Sequence, residues 1–222
     1  MKLIEAKMVL LQVDINMKRG KFIVIEGGDK SGKSTQLTLL QDYLSSKNID
    51  FILTREPGGK GSVIAEKIRS IILDKNHKEM DSRTELLLFL ASRAQHVAEI
   101  VIPALEEGKL VVCDRFDSST FAYQGAARQL DLQKIKDMNN WAKYGLEPDL
   151  VIYLDISIED AENRRRGDKH DRLDRETREF HEAVRQGYLA QAKNNDKWFV
   201  ISAVGAIENI AKQINAKIDS IV

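Results

Sequence analysis

The sequence predicts an α/β fold of three layers, with about five mostly parallel strands and helices on both faces. Short apolar runs bounded by turn residues recur at 21–26, 50–54, 110–113, 149–155 and 198–202. Between them, apolar residues fall at helical spacing. The first run also leads through the glycine-rich stretch Gly27-Gly-Asp-Lys-Ser-Gly-Lys-Ser-Thr35 directly into a helical pattern. At 222 residues the chain fits one domain, 21–222, preceded by an extension of unknown role at 1–20.

The elements follow in order. Leu37, Leu40, Tyr43 and Leu44 mark the first helix, and Ser45 to Asn48 a turn. After the second strand, Arg55-Glu-Pro-Gly-Gly59 forms a loop stiffened by Pro57. Ile64, Ile68, Ile71 and Ile72 give the next helix its apolar face. Ser82 and Glu85 have capping-box spacing and are expected to open a long helix towards Glu107, interrupted near Pro103. The third strand ends at Asp114-Arg115, and a helix from about Asp131 to Tyr144 is closed by Gly145 and Pro148. Ser157 is expected to cap the helix running into Arg164, Arg165 and Arg166. A charged segment, a helix to about Lys193, the fifth strand and a helix over 207–218 complete the chain.

Gly27, Gly32, Lys33 and Ser34 fit the phosphate-loop pattern, in the strand–turn–helix setting that the motif requires. Backbone N–H groups of such a turn converge on phosphate oxygens, where the helix dipole also favours negative charge. Gly27, Gly28, Asp29, Lys30, Ser31, Gly32, Lys33, Ser34 and Thr35 are thus expected to hold ATP, in a fold of the P-loop NTPase type. Lys33 is placed to reach the β- and γ-phosphates and the Ser34 hydroxyl to ligate Mg²⁺.

The 34 basic and 34 acidic side chains cancel, which gives no general affinity for nucleic acid or membranes. One cysteine, Cys113, excludes an internal disulfide framework, favours the cytoplasm and reads as a core residue. No apolar run in the sequence is expected to span a membrane. The four histidines lack metal-ligand spacing, so zinc is not expected.

In a parallel sheet, ligands bind beyond the carboxyl ends of the strands. Asp29-Lys30, Arg55-Glu-Pro-Gly-Gly59 and Asp114-Arg115 all fall there. Arg55 and Arg115 suit a second phosphate, since guanidinium groups grip phosphate bidentately. The plainer reading pairs each with a neighbouring acid, Glu56 or Asp117.

The motifs Thr54-Arg-Glu-Pro-Gly-Gly59, Phe89-Leu-Ala-Ser-Arg93 and Asp114-Arg-Phe-Asp-Ser-Ser-Thr-Phe-Ala-Tyr-Gln-Gly125, in that order, carry a resemblance. Over about residues 20–220 the chain resembles the thymidylate kinases among the nucleoside monophosphate kinases. That resemblance implies an ATP- and Mg²⁺-dependent phosphorylation of dTMP to dTDP by a homodimer. It implies that Phe89 stacks on thymine, that Arg93 donates to the base's carbonyl edge, and that Ser119 and Gln124 lie near base or sugar. Tyr123 would crowd the sugar's 2′ position, Asp29 would bind the 3′-hydroxyl, and Arg55 and Arg115 would hold the 5′-phosphate. Asp114 either meets the metal and phosphates through water or orients Arg115.

Some members of that family carry an arginine at the position of Lys30; others have a small residue there and arginines in a mobile lid. This chain has a lysine and also a basic segment, a lid at about 164–175. Arg166 and Arg172 best match the lid pattern and are expected to carry transition-state charge, with Lys30 assisting. The alternative is a solvated charge run, neutralised by Asp168, Asp171 and Asp174. Rival functions are a kinase for another monophosphate and a nucleotide-binding module without catalysis.

Overall fold

The structure is a computed structural model that describes residues 19–164 and 171–222. Residues 1–18 of the extension, and Arg165, Arg166 and Asp168 of the basic segment, lie outside the described residues. The five strands are β1 (Phe22–Gly27), β2 (Phe51–Arg55), β3 (Leu110–Asp114), β4 (Leu150–Asp155) and β5 (Trp198–Ser202). They form one sheet in the order β2-β3-β1-β4-β5, and every pairing is parallel. β1 is therefore central, paired at Phe22 with Val111 and at Ile23 with Leu150. Every residue of β1 is buried, as its unbroken apolar run requires of a strand covered on both faces.

The helices are α1 (Lys33–Ser46), α2 (Val63–Leu73), α3 (Ser82–His96), α4 (Ile102–Glu106), α5 (Asp117–Thr120), α6 (Leu132–Ala142), α7 (Ile158–Arg164), α8 (Arg178–Ala192) and α9 (Ile207–Asp219). One face of the sheet packs on α1 and α9 through Ile23, Ile25, Leu40, Leu44, Ile152 and Ile214. The other packs through Phe22, Val24, Val111 and Phe116 on the chain around Val101 and Leu105.

One expected helix cap changes. The cap of α3 is Asp81, not Ser82: its Oδ1 accepts from the N–H of Arg83 at 2.9 Å and of Thr84 at 3.4 Å. Glu85 is released from capping and faces Arg128 and Arg172. The long helix is interrupted before Glu107, as expected, and the interruption begins at Val97. A π-helical turn over Val97–Val101 precedes α4, and Pro103 sits in the first turn of α4, where its missing N–H does least harm. The segment after Arg115 is helical too, α5 passing into a second π-helical stretch over Phe121–Ala127.

Ser157 caps α7 as expected, accepting from the N–H of Asp160 at 3.0 Å. Cys113 is a buried core residue, its thiol pushed well up, chiefly by burial. The helical stretch Ser82–Glu106 is 25 residues long and passes a length-and-composition test for crossing a membrane, a test that the core helix of a globular protein also passes. It carries Glu85, Arg93 and His96 fully buried against protein partners, the pattern of a core helix.

Candidate active site

The phosphate loop joins β1 to α1. A Cβ on Gly27 would stand 2.5 Å from the Ser31 Oγ, and Gly32 has φ of +87°, so both positions require glycine. α1 begins without a side-chain cap and without an acidic residue in its first turn, so its leading N–H groups are left for an anion. The Lys33 ammonium folds back over the loop and donates to the carbonyls of Gly27 at 2.9 Å and Gly28 at 3.2 Å. Burial, reinforced by Arg115, pushes its pKa down to about 8. Lys30, Ser31, Ser34, Thr35 and Asp114 share one cavity of about 740 Å³ with Lys33.

Asp29 and Arg115 stand together at the mouth of this cavity, with Arg115 Nη2 donating to Asp29 Oδ1 at 3.0 Å. Burial alone would raise the Asp29 carboxyl, but Arg115 and Lys33 outweigh it and lower its pKa. Arg115 therefore pairs with Asp29 rather than with Asp117, which is held by Lys143 at 2.5 Å. Asp114 Oδ1 is buried with no hydrogen-bond partner among the described residues. Asp114 shares the cavity with the Ser34 hydroxyl, so this donor set fits a hard divalent cation bound through oxygen and water.

A second, narrower cavity of about 130 Å³ adjoins the first and shares Asp29, Asp114 and Arg115 with it. Arg55, Arg69 and Arg115 bring positive charge to its lining, while Phe89, Ser119, Tyr123 and Gln124 line it with aromatic and neutral polar groups. Arg55 is paired bidentately with Glu66, at 3.2 and 3.1 Å, and not with Glu56. Ser119 Oγ lies 2.8 Å from Glu26 Oε2 and 2.7 Å from the Tyr188 hydroxyl, which itself donates to Glu26 at 2.9 Å. Burial pushes the Glu26 carboxyl up to about 7 despite Arg115 nearby. Tyr123 is buried, its hydroxyl pushed well up by desolvation, and Arg115 lies over its ring at 5.4 Å.

Arg93 stands behind this cavity, 1% exposed. Its Nε donates to Glu56 at 2.8 Å, Nη1 to Thr120 at 2.9 Å and to Asn139, and Nη2 to the Phe116 carbonyl at 3.0 Å. The other Glu56 oxygen lies 3.0 Å from His96 Nδ1, which must donate because a carboxylate only accepts; His96 Nε2 lies 2.7 Å from Thr54 Oγ1. The N–H groups of Arg93 thus face protein partners in this structure, and a base carbonyl would meet it only by exchange. Gln124 donates likewise to Glu85, at 2.8 Å.

The charged segment divides. Arg172 is 8% exposed; its Nε donates to the Ile72 carbonyl at 3.1 Å and its Nη2 to Glu85 at 2.5 Å, so here it faces α2 and α3 and not the phosphate loop. Leu173 joins the cluster of Tyr123, Phe180 and Tyr188. Arg164, by contrast, donates to the Lys30 carbonyl at 3.1 Å and to the Ala203 carbonyl at 2.7 Å. Asp174 lines the phosphate cavity, its carboxyl pushed up to about 6 by burial and by Asp29.

Sequence reasoning passed over Glu26, Arg69 and Tyr188, and placed Arg164 in the basic lid without singling it out. A signal existed for Glu26, an acid ending an otherwise apolar strand directly before the loop. Tyr188 and Arg69 sit on ordinary amphipathic helices, and nothing local distinguishes them.

A family model described as thymidylate kinase matches residues 25–214. The thymidylate kinase of Symbiobacterium thermophilum is 43% identical over 201 residues, covering 90% of this chain and 93% of that protein. That of Geobacillus sp. (strain WCH70) is 45% identical over 208 residues, 91% of this chain and 98% of its own length. That of Clostridium novyi (strain NT) is 48% identical over 176 residues, with 78% and 85% covered.

Proposed function

This chain belongs to the thymidylate kinase family, and on that premise we propose that it transfers the γ-phosphate of ATP to dTMP, giving dTDP and ADP. The observation that carries this reading is the pair of adjoining cavities that share Asp29, Asp114 and Arg115. A donor phosphate in one and an acceptor phosphate in the other meet at a cationic boundary, and phosphoryl transfer asks chiefly for such positioning and charge.

In this reading the loop N–H groups and Lys33 hold the donor phosphates. Arg55, Arg69 and Arg115 hold the acceptor phosphate, and Arg55 reaches it by relaxing its half-exposed pair with Glu66. Phe89 stacks on thymine, Gln124 and Ser119 bound base and sugar, and Tyr123 excludes a 2′-hydroxyl. Asp29 takes the 3′-hydroxyl. Arg93 fixes the wall behind the base and exchanges one internal bond for the thymine carbonyl. Ser34 and Asp114 would hold Mg²⁺, which neutralises phosphate charge when bound.

The charge on the transferring group comes from Lys30, Arg115 and Arg164, joined by Arg166 of the lid. Lys30 has φ of 62°, a left-handed backbone that disfavours a lysine. Retaining a long cation there is understandable if its charge is used. Arg172 acts at one remove, docking the second half of the lid through Glu85.

ATP and dTMP are the small-molecule partners, and the cytoplasm is the compartment this balanced, cysteine-poor chain suits. A second copy is the partner we assign to the exposed Leu87 of α3 and to Leu132 and Trp141 of α6. Sedimentation at micromolar concentration is expected to give a dimer.

The direct test is coupled ADP release with ATP, Mg²⁺ and each of dTMP, dUMP, UMP and dCMP. Strong stimulation by dTMP, weak by dUMP and negligible by UMP is expected. Equal rates with all four would remove the substrate assignment. ATP binding with no ADP release on any of them would favour a module that has lost catalysis.

A further inference from the structure

On the far side of Arg93, a cavity of about 530 Å³ opens at the amino ends of β4 and β5, among Lys136, Asn140, Lys197 and Trp198. It shares no lining residue with the two cavities of the active site. Asn139, with no exposed surface, forms part of its floor.

The amide of Asn139 has a fixed orientation. Its Oδ1 accepts from Arg93 Nη1; the reverse arrangement would set two donors face to face. Nδ2 is therefore turned away from Arg93, and it is buried with no acceptor among the described residues. A buried donor in that state carries an uncompensated desolvation cost until an acceptor reaches it.

The charges of the cavity are also unbalanced. Lys136, Lys143 and Lys197 face only two carboxylates, Asp117 and Glu147. Both acids are already engaged by Lys143, at 2.5 and 2.6 Å. Lys136 and Lys197 are exposed and make no ion pair among the described residues. The cavity thus combines two cations that make no ion pair among the described residues with a neighbouring unmet N–H donor, and Trp198 is part of its lining.

We propose that this cavity is a second ligand site, for a small multivalent oxyanion, which is neutralised by Lys136 and Lys197 and reaches the buried Asn139 Nδ2 by displacing the side chains that cover it. The proposal does not rest on the kinase assignment. Its donors are suited to phosphate and carboxylate oxygens alike, and the floor residue ties it to Arg93, the wall of the other pocket.

The test is calorimetric titration of the full chain with pyrophosphate and, separately, with citrate, under saturating ATP and dTMP without Mg²⁺, so that both cavities of the active site are filled and no turnover occurs. One binding event per chain that persists with ATP and weakens with salt is expected. Binding of pyrophosphate alone would assign a phosphate ligand, and binding of citrate alone a carboxylate. The double variant Lys136→Ala, Lys197→Ala is expected to bind at least tenfold more weakly while its turnover matches the parent. Asn139→Asp keeps an acceptor for Arg93 but removes the donor, and should lose binding by a similar factor. Absence of any ATP-insensitive binding, or equal affinity in the double lysine variant, overturns the proposal.

Discussion

The two ends of the narrower cavity are built on opposite plans. At the wall behind Phe89, Arg93, Glu56 and His96 are each no more than 5% exposed, and their polar atoms are spent on one another and on Thr54, Thr120 and Asn139. At the phosphate boundary, Lys30 and Arg115 occupy left-handed backbone with φ of 62° and 67°, and Asp114 Oδ1 and Ser31 Oγ lack partners among the described residues. The wall invests its hydrogen bonds in shape. The boundary keeps strain and unmatched polar atoms in place for a ligand to satisfy. One region should answer mutation in stability, the other in rate.

The largest separation is expected between two arginines. Arg93→Ala leaves Glu56 buried without its cation and is expected to cost about 4 kcal/mol, read by urea unfolding. Arg115→Ala should cost about 1 kcal/mol of stability yet lower kcat/KM for dTMP on the order of a hundredfold or more. If Arg93→Ala proved as stable as the parent, the distinction between wall and boundary would fail.

Glu26 lies where the two plans meet, and its titration sharpens the contrast. Its folded pKa of about 7 exceeds the ordinary 4.5, so the folded state holds the proton more tightly than the unfolded one. Stability from this group is complete below pH 4.5 and is lost as pH rises through about 7, by at most about 3 kcal/mol. Glu26→Gln keeps an acceptor for the Phe116 N–H and donors for Ser119 and Tyr188, so its unfolding free energy should be flatter across that window. An unchanged slope would assign the pH dependence to another group.

The smallest effect lies in the lid. Arg164→Ala should lower kcat about tenfold with little change in KM for dTMP or in melting temperature, because its contacts are two backbone carbonyls at the phosphate end. Arg172→Ala, on the wall side, should lower the melting temperature first. The reverse pattern would return the catalytic charge to Arg172.

Legibility in the sequence followed the same division. All five strands, and the three motifs at their carboxyl ends, were readable because buried parallel strands are continuous apolar runs and the loops after them carry glycine, proline and arginine. The phosphate loop was readable in full, since its chemistry is local. What escaped was long-range pairing. Arg55 chooses Glu66 and Arg115 chooses Asp29, whereas sequence proximity suggested Glu56 and Asp117. Glu85 reads as a capping residue by spacing, yet it anchors Arg128 and Arg172 from distant parts of the chain. The fold places these partners together, and no spacing rule along one helix anticipates them.

The central position of β1 sets a timetable for the chain's birth. β1 carries the phosphate loop on its end, but its neighbours in the sheet, β3 and β4, begin at Leu110 and Leu150. A ribosome adding about 5–20 residues per second emits β1 many seconds before β4 exists to cover its second edge. The central, fully buried strand, with its phosphate loop, therefore waits half-assembled while most of the protein is still being made. The larger cavity is lined by residues from Asp29 to Ile210, so it is complete only when nearly the whole chain has been made.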